Sequence, residues 1–322
     1  MTRMIAGKRY YGKGVTIDEA EAREAKKLIK QIVGSGGISY VGDFLPILKL
    51  VDYNGVKKRV VELKEKIDAF IQGLVDEHRR KKGDPELADS MISHLLRLQE
   101  SQPEDYSDFM IKGLVFVLLV AGTDTSSLAL ESIMANLLNN PEKLKKAQDE
   151  IDSVIGHDRL VEESDVSNLP YLQCIIFETL RLNTIVPLLV PHTSSADCNI
   201  GGYFVPRDTI VMVNAWAIHR DPELWEDPLS FNPKRFEGSG GEKQHKLILP
   251  FGLGRRTCPG ATLAQRVMGW TLGLLIQCFD WKRVSKEEID MREGRGTTMP
   301  KVVPLELMCK VRPLMEKLVP KD

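Results

Sequence analysis

The residues best suited to chemistry lie in one short segment, Phe251-Gly252-Leu253-Gly254-Arg255-Arg256-Thr257-Cys258-Pro259-Gly260. A cysteine just ahead of a helix sits where backbone N–H groups and the positive helix end favour a thiolate. Gly252, Gly254 and Gly260 carry no side chain, so the loop turns sharply and presses against something flat. Arg256 is a fixed cation suited to a carboxylate. Together they describe a thiolate pocket for a large planar ligand bearing acids. The bland alternative is an inert, buried cysteine beside a glycine turn.

A second constellation is Ala121-Gly122-Thr123-Asp124-Thr125-Ser126, inside an otherwise apolar stretch. An acid at the centre of a buried helix is costly unless it is partnered or faces water. The alternative is a hydroxyl bonding back to its own helix. Glu178 and Arg181, three residues apart, share a helix face. By itself that spacing describes any surface salt bridge, worth under ~1 kcal/mol.

Helices must position these groups. Thr16-Ile17-Asp18-Glu19 is a capping box that opens a helix running to Val33 and stopping at Gly34. After Asn54-Gly55, the residues Val56, Val60, Leu63, Ile67, Phe70 and Leu74 form one apolar stripe. The charged run 76–82 ends that helix as a solvated terminus, with a partner-binding role as the alternative. No proline interrupts the chain between Pro103 and Pro141, which predicts one helix of ~30 residues, roughly 45 Å long. Its middle, 114–120, is apolar all round and is predicted to be buried.

Asn140 and Pro141 open the next helix, which closes at Gly156, and 171–182 is a further short helix. Residues 198–214 read as a small hairpin broken by Gly201-Gly202 and by Pro206-Arg207-Asp208. The stretch 221–250 reads as one long ordered loop, of a length that usually serves a function. A last apolar helix spans 261–279. The class is mainly α with a small β part, and 322 residues are enough for one large domain or two ordinary ones.

Composition removes other classes. The chain has 322 residues, 43% hydrophobic and 28% charged, which excludes disorder and collagen-like or coiled-coil chains. Forty-four Lys and Arg against 45 Asp and Glu leave a net charge of −1, so no basic face recommends a nucleic-acid partner. The five cysteines, Cys174, Cys198, Cys258, Cys278 and Cys309, include no CxxC pair. That pattern excludes a disulfide scaffold, an ordinary structural zinc site and a c-type haem attachment, and points to a reducing compartment. No signal peptide is visible at the start, and the longest apolar run, 113–122, is too short to cross a bilayer.

Residues 251–260 fit F-x-x-G-x-R-x-C-x-G, the haem-binding signature of the cytochrome P-450 family, through Phe251, Gly254, Arg256, Cys258 and Gly260. At roughly one in twenty per fixed residue, chance supplies this match about once in ten thousand chains of this length. Three further segments resemble that family in its order. Asp124-Thr125 resembles the acid–alcohol pair that handles dioxygen and its protons. Glu178 and Arg181 resemble the E-x-x-R pair, and Phe231-Asn232-Pro233-Lys234-Arg235-Phe236 fits F-x-P-x-R-F, making Arg235 the third member of a buried triad. Lys234 stands where many members carry glutamate.

The resemblance implies haem (iron protoporphyrin IX) ligated by the Cys258 thiolate, with Arg256 and His192 on its propionates. It implies a substrate wall at 184–190 and 297–299, including Thr184, Val186, Leu188 and Thr298, with Ala121 and Gly122 leaving room for dioxygen. The implied reaction is monooxygenation of a small apolar aromatic substrate by O2, with electrons from an NADPH-cytochrome reductase. Lys243, Lys246 and Arg255 are candidates to meet the reductase, or simply solvated charges. Ala6-Gly7-Lys8-Arg9-Tyr10-Tyr11-Gly12 and the paired arginines of the cysteine loop resemble the plant isoflavone-hydroxylase-like group. Residues 1–12 resemble a region well inside the microsomal fold. The implied chain is therefore a single P-450 catalytic domain, residues 1–322, with the fold's N-terminal third (membrane anchor, first sheet and early helices) absent. The full-length parent would sit on the cytosolic face of the endoplasmic reticulum membrane. Two other functions stay open: a non-catalytic truncated fragment that binds haem poorly, and a reductase-independent haem-thiolate isomerase or dehydratase. The intact Asp124-Thr125 pair argues against the last.

Overall fold

A computed structural model describes residues 1–9, 19–35, 40–43, 45, 47–48, 55–238 and 241–318. Thr16, Ile17 and Asp18 of the expected capping box, and residues 10–12 of the subgroup string, lie outside the described residues. Helices dominate: α1 (Thr2–Ala6), α2 (Glu19–Ser35), α3 (Val56–Arg80), α4 (Met91–Ser101), α5 (Asp108–Asn139), α6 (Pro141–Ile155), α7 (Pro170–Leu182), α8 (Ala215–Ile218), α9 (Gly241–Leu247), α10 (Ala261–Cys278) and α11 (Pro313–Leu318). The β part consists of two-stranded antiparallel sheets. β1 (His192–Thr193) pairs with β4 (Ile210–Val211), β2 (Cys198–Ile200) with β3 (Tyr203–Val205), and β5 (Phe279–Arg283) with β6 (Leu307–Val311). The chain forms two compact units, Met1–Asp124 and Thr125–Asp322.

In the first unit, Ile5 of α1, Ile71, Leu74 and Val75 of α3, Ile92 and Leu95 of α4, and Ile111, Val115 and Leu119 of α5 share one core. The stripe on α3 is buried only toward its C-terminal half, and Val60 remains 49% exposed. α4 was not foreseen. It starts at Ser90, whose hydroxyl caps the Ser93 N–H at 3.2 Å and also bonds the buried His78 ring at 3.1 Å.

The long proline-free helix is present as α5, 32 residues and about 48 Å long. Its middle is not buried all round. Ile111, Val115 and Leu119 recur every four residues on one buried face, whereas Leu114 and Val117 are exposed. The apolar run 113–122 is too short for a bilayer, but the whole helix is long and apolar enough by length and composition. Protein partners hold it at both ends: Lys112 pairs with Asp68 at 2.7 Å, and Glu131 accepts the Leu305 N–H at 2.9 Å.

In the second unit, Ile133, Leu137, Ile151, Leu169, Leu172, Ile175, Leu272 and Ile276 are completely buried. α6 opens on Asn140 and Pro141 and closes at Gly156, as the sequence predicts. Its Glu150 reaches across to accept the N–H groups of Tyr171 and Leu172, at 2.7 and 2.9 Å, satisfying two orphan donors of α7. α10 passes so close to Val166 that a Cβ on Gly269 would lie 2.5 Å from Val166 Cγ1.

Gly201 and Gly202, at φ 56° and 87°, make the predicted hairpin turn between β2 and β3. The second break reverses the chain again, so β4 pairs with β1 and not with β3. Segment 221–250 is ordered by a 3-10 turn at Pro233–Phe236 and by α9. α10 ends at Cys278, one residue before the predicted end of the last helix, and β5 begins at Phe279.

Candidate functional site

Glu178 and Arg181 lie one turn apart on α7, and both are completely buried. Arg181 donates from Nε to Glu178 Oε2 and from Nη2 to Oε1, each at 2.8 Å. Nη1 donates to the carbonyls of His219 and Pro228, each at 2.7 Å, and Nη2 donates also to Ser230 O at 3.1 Å. Arg235, from the 3-10 turn, donates from Nε to Glu178 Oε1 at 3.3 Å. Its terminal nitrogens donate to Glu226 O, Asp227 O and Ser230 Oγ. The Asn232 N–H adds a donor to Glu178 at 2.8 Å. The three residues named from the sequence thus form one buried lattice, roofed by Trp225, whose ring centroid lies 5.1 Å from the Arg181 guanidinium. Backbone carbonyls supply the acceptors that a lone carboxylate lacks for two guanidinium groups. The lattice pins the irregular 219–235 segment to α7.

His219, at the C-terminus of α8, escaped the sequence reading. It is completely buried. Its Nε2 accepts the Leu249 N–H at 2.8 Å, and its Nδ1 meets Thr184 Oγ1 at 2.9 Å. Burial, with the cations Arg181 and Arg220 close by, pushes its pKa down to about 4. A lone histidine between an isoleucine and an arginine gives no signal of this role in the sequence.

Leu249 opens the cysteine loop. Gly252 N–H donates to Leu249 O at 3.1 Å and Cys258 N–H donates to Phe251 O at 2.8 Å. The Thr257 hydroxyl bonds Phe251 O and Gly252 O, at 3.3 and 3.1 Å. Gly252 and Gly254 have φ of 68° and 75°, in the left-handed region that glycine enters without strain. Phe251 packs against the core, while Leu253, Arg255, Arg256, Thr257 and Cys258 are exposed. Cys258 is a free, exposed thiol two residues ahead of Gly260, the N-cap of α10. The inert, buried cysteine is therefore not what the fold builds here. A Cβ added at Gly260 would touch Cys258 Sγ at 3.8 Å, an ordinary contact.

The two segments expected to line a substrate wall meet, because Met299 N–H donates to Ile185 O at 2.9 Å. Val186 and Thr298 are half-buried and Leu188 is 43% exposed. Thr184 does not belong on an open wall. It is buried, with its hydroxyl donating to Arg181 O at 3.1 Å, and it forms part of the His219 network. His192 is exposed on β1, opposite Val211. On α5, Asp124 and Thr125 are half-buried and Ala121 is exposed. A Cβ added at Gly122 would meet the flexible end of the Met1 side chain.

The family model Cytochrome P450 matches residues 2–306. The chain belongs to the cytochrome P450 family. It is 55% identical over 311 residues to cytochrome P450 81E8 of Medicago truncatula, covering 96% of this chain and 61% of that one. It is 52% identical over 315 residues to isoflavone 3'-hydroxylase of the same species, covering 98% and 62%. It is also 52% identical over 317 residues to (+)-piperitol/(+)-sesamin synthase CYP81Q2 of Sesamum radiatum, covering 98% and 61%. The P450 chain thus spans about three fifths of the length of these curated relatives. Among solved structures, a zebra fish cytochrome P450 with abiraterone matches with a TM-score of 0.80 at 25% identity, covering 97% of this chain and 69% of that one. These likenesses place the chain beside the plant isoflavone-hydroxylase-like P450s, and the family's cofactor is haem. The donor set fits that group: a free exposed thiol, an exposed arginine beside it, and Gly252 and Gly254 with nothing within 4 Å of an added Cβ.

Proposed function

We propose that this chain carries the haem-thiolate part of a monooxygenase that inserts one oxygen atom of O2 into an apolar phenolic plant metabolite of the isoflavonoid kind. The observation that carries the reading is the free, exposed Cys258 at the end of a loop whose backbone is bonded at both Leu249 and Phe251. Relatives named isoflavone 3'-hydroxylase and isoflavone 2'-hydroxylase, 52% and 51% identical, support the substrate class. When bound, haem supplies the activation of dioxygen.

The chain's own residues do the rest. Cys258 offers the sulfur ligand, two residues ahead of the N-cap of α10. Arg256 and His192, both exposed, bind carboxylates. Asp124 and Thr125 hold and pass protons through a carboxyl and a hydroxyl adjacent on α5. Val186, Leu188 and Thr298 bound the substrate, with Met299 tying their two loops together, and Ala121 on α5 leaves room for dioxygen. Glu178, Arg181 and Arg235 are structural. The exposed Lys243, Lys246 and Arg255 meet an NADPH-cytochrome reductase, and residues 1–322 work as one catalytic domain on the cytosolic face of the endoplasmic reticulum membrane.

The test supplies the purified chain with haem, a plant NADPH-cytochrome reductase, NADPH, an isoflavone and isotopically labelled dioxygen. The expected product is heavier by one labelled oxygen and needs NADPH. Product formed without NADPH, or no labelled product from a chain that shows thiolate-ligated haem, contradicts the reading.

A further inference from the structure

The start of the cysteine loop is tied to the rest of its unit through a buried ring. Leu249 N–H donates to His219 Nε2 at 2.8 Å. A ring nitrogen that accepts carries no proton, so the imidazole proton sits on Nδ1, facing Thr184 Oγ1 at 2.9 Å. The Thr184 hydroxyl then donates to Arg181 O at 3.1 Å. His219's own carbonyl accepts Arg181 Nη1 at 2.7 Å. His219 and Thr184 are 0% and 1% exposed, so water does not compete for these bonds. The charged groups nearest the ring are Arg181 from α7 and Arg220 beside it, and both disfavour the imidazolium, as does burial.

From Leu249 the constraint continues toward sulfur. Leu249 O accepts the Gly252 N–H at 3.1 Å, and Phe251 O accepts the Cys258 N–H at 2.8 Å. A displacement of Leu249 therefore passes to the Cys258 backbone through two hydrogen bonds.

We infer that His219 is a positioning residue. Fixed by Thr184 in its Nδ1–H tautomer, it holds Leu249 and so seats the Cys258 loop on the Glu178–Arg181–Arg235 lattice. The consequence for haem ligation rests on the reading of Cys258 as the ligand; the holding of the loop does not.

The test compares amide hydrogen exchange at Leu249 in the wild-type chain, His219→Ala and His219→Gln. Glutamine places an oxygen acceptor near the position of Nε2. Exchange at Leu249 is expected to be about tenfold faster in the alanine variant, and within about twofold of wild type in the glutamine variant. Unchanged exchange in folded His219→Ala overturns the inference. If the alanine variant does not fold, His219→Gln and Thr184→Val decide. A protected Leu249 in the former and about threefold faster exchange in the latter support it, and an unprotected Leu249 in folded His219→Gln overturns it.

The second readout is the reduced, carbon-monoxide-treated spectrum after haem loading. The red-shifted Soret band is expected in wild type, diminished in His219→Ala and regained in His219→Gln. If wild type lacks that band while Leu249 exchange responds as stated, the Cys258 ligand reading fails and the holding of the loop stands.

Discussion

Arg181 meets Glu178 through two N–H···O bonds of 2.8 Å, and neither side chain is touched by solvent. All five guanidinium N–H groups of Arg181 have acceptors, two on Glu178 and three on backbone carbonyls. Such a pair contributes little net stability relative to an apolar replacement of the same volume, yet breaking it leaves a buried charge uncompensated. What it supplies is geometry. Three separate carbonyls of an irregular loop are held by one rigid, planar group.

Arg181→Lys is therefore not conservative. Lysine brings three donors on a flexible stem where five are used. Arg181→Lys and Glu178→Gln are each expected to cost about 3–5 kcal/mol, measured by urea unfolding of haem-free chain. A loss under about 1 kcal/mol would show that water enters the lattice.

The pH dependence follows from His219. Its folded pKa is about 4 against an ordinary 6.5. Between those values the unfolded chain takes up a proton that the folded chain refuses. The stabilisation is complete above pH 6.5 and is lost on acidification toward pH 4. A shift of this size corresponds to about 3 kcal/mol. The burial-raised carboxyl of Glu150 has the opposite sign, because the folded chain there keeps a proton the unfolded chain releases. Comparing stability against pH for wild type and His219→Gln isolates the histidine. The slope over this range is expected to flatten in the variant.

Much of this architecture was legible from local pattern. Proline spacing gave α5 and α6, and Gly201-Gly202 gave the β2–β3 turn. The triad was legible only because three short motifs occurred in the family's order, since an i, i+3 pair carries no information about burial. Other features depended on long-range pairing. β5 and β6 are strands because Phe279 and Val311 are partners, 32 positions apart in the chain. Likewise the environment of Thr184 is decided by His219, 35 residues away, so this one residue of the expected substrate wall belongs to a buried polar network. The exposed face of α5 was missed because uniform apolarity does not say how many sides are covered.

The glycines of the cysteine loop should separate by backbone conformation. Gly252 and Gly254 occupy positive φ with open space around a built Cβ, so alanine there costs backbone strain alone, about 1–2 kcal/mol. Gly260 has φ −88° and an ordinary contact to Sγ, so Gly260→Ala should unfold within about 0.5 kcal/mol of wild type. Equal losses at all of these sites would contradict the conformational account.

Packing of α10 gives a further test. Gly269→Ala drives a Cβ to 2.5 Å from Val166 Cγ1 and is expected to cost about 1–3 kcal/mol. Adding Val166→Ala removes the obstruction. The double variant should recover most of that loss, a coupling that thermal unfolding of the four chains would read.

The proposed function stands on Cys258 as the sulfur ligand of haem. The difference spectrum of the reduced, carbon-monoxide-treated chain after expression with haem supplied, alongside that of Cys258→Ala, decides this. A strongly red-shifted Soret band in wild type that disappears in the variant is the predicted result. A shorter-wavelength band in wild type, or a red-shifted band that survives Cys258→Ala, would contradict it.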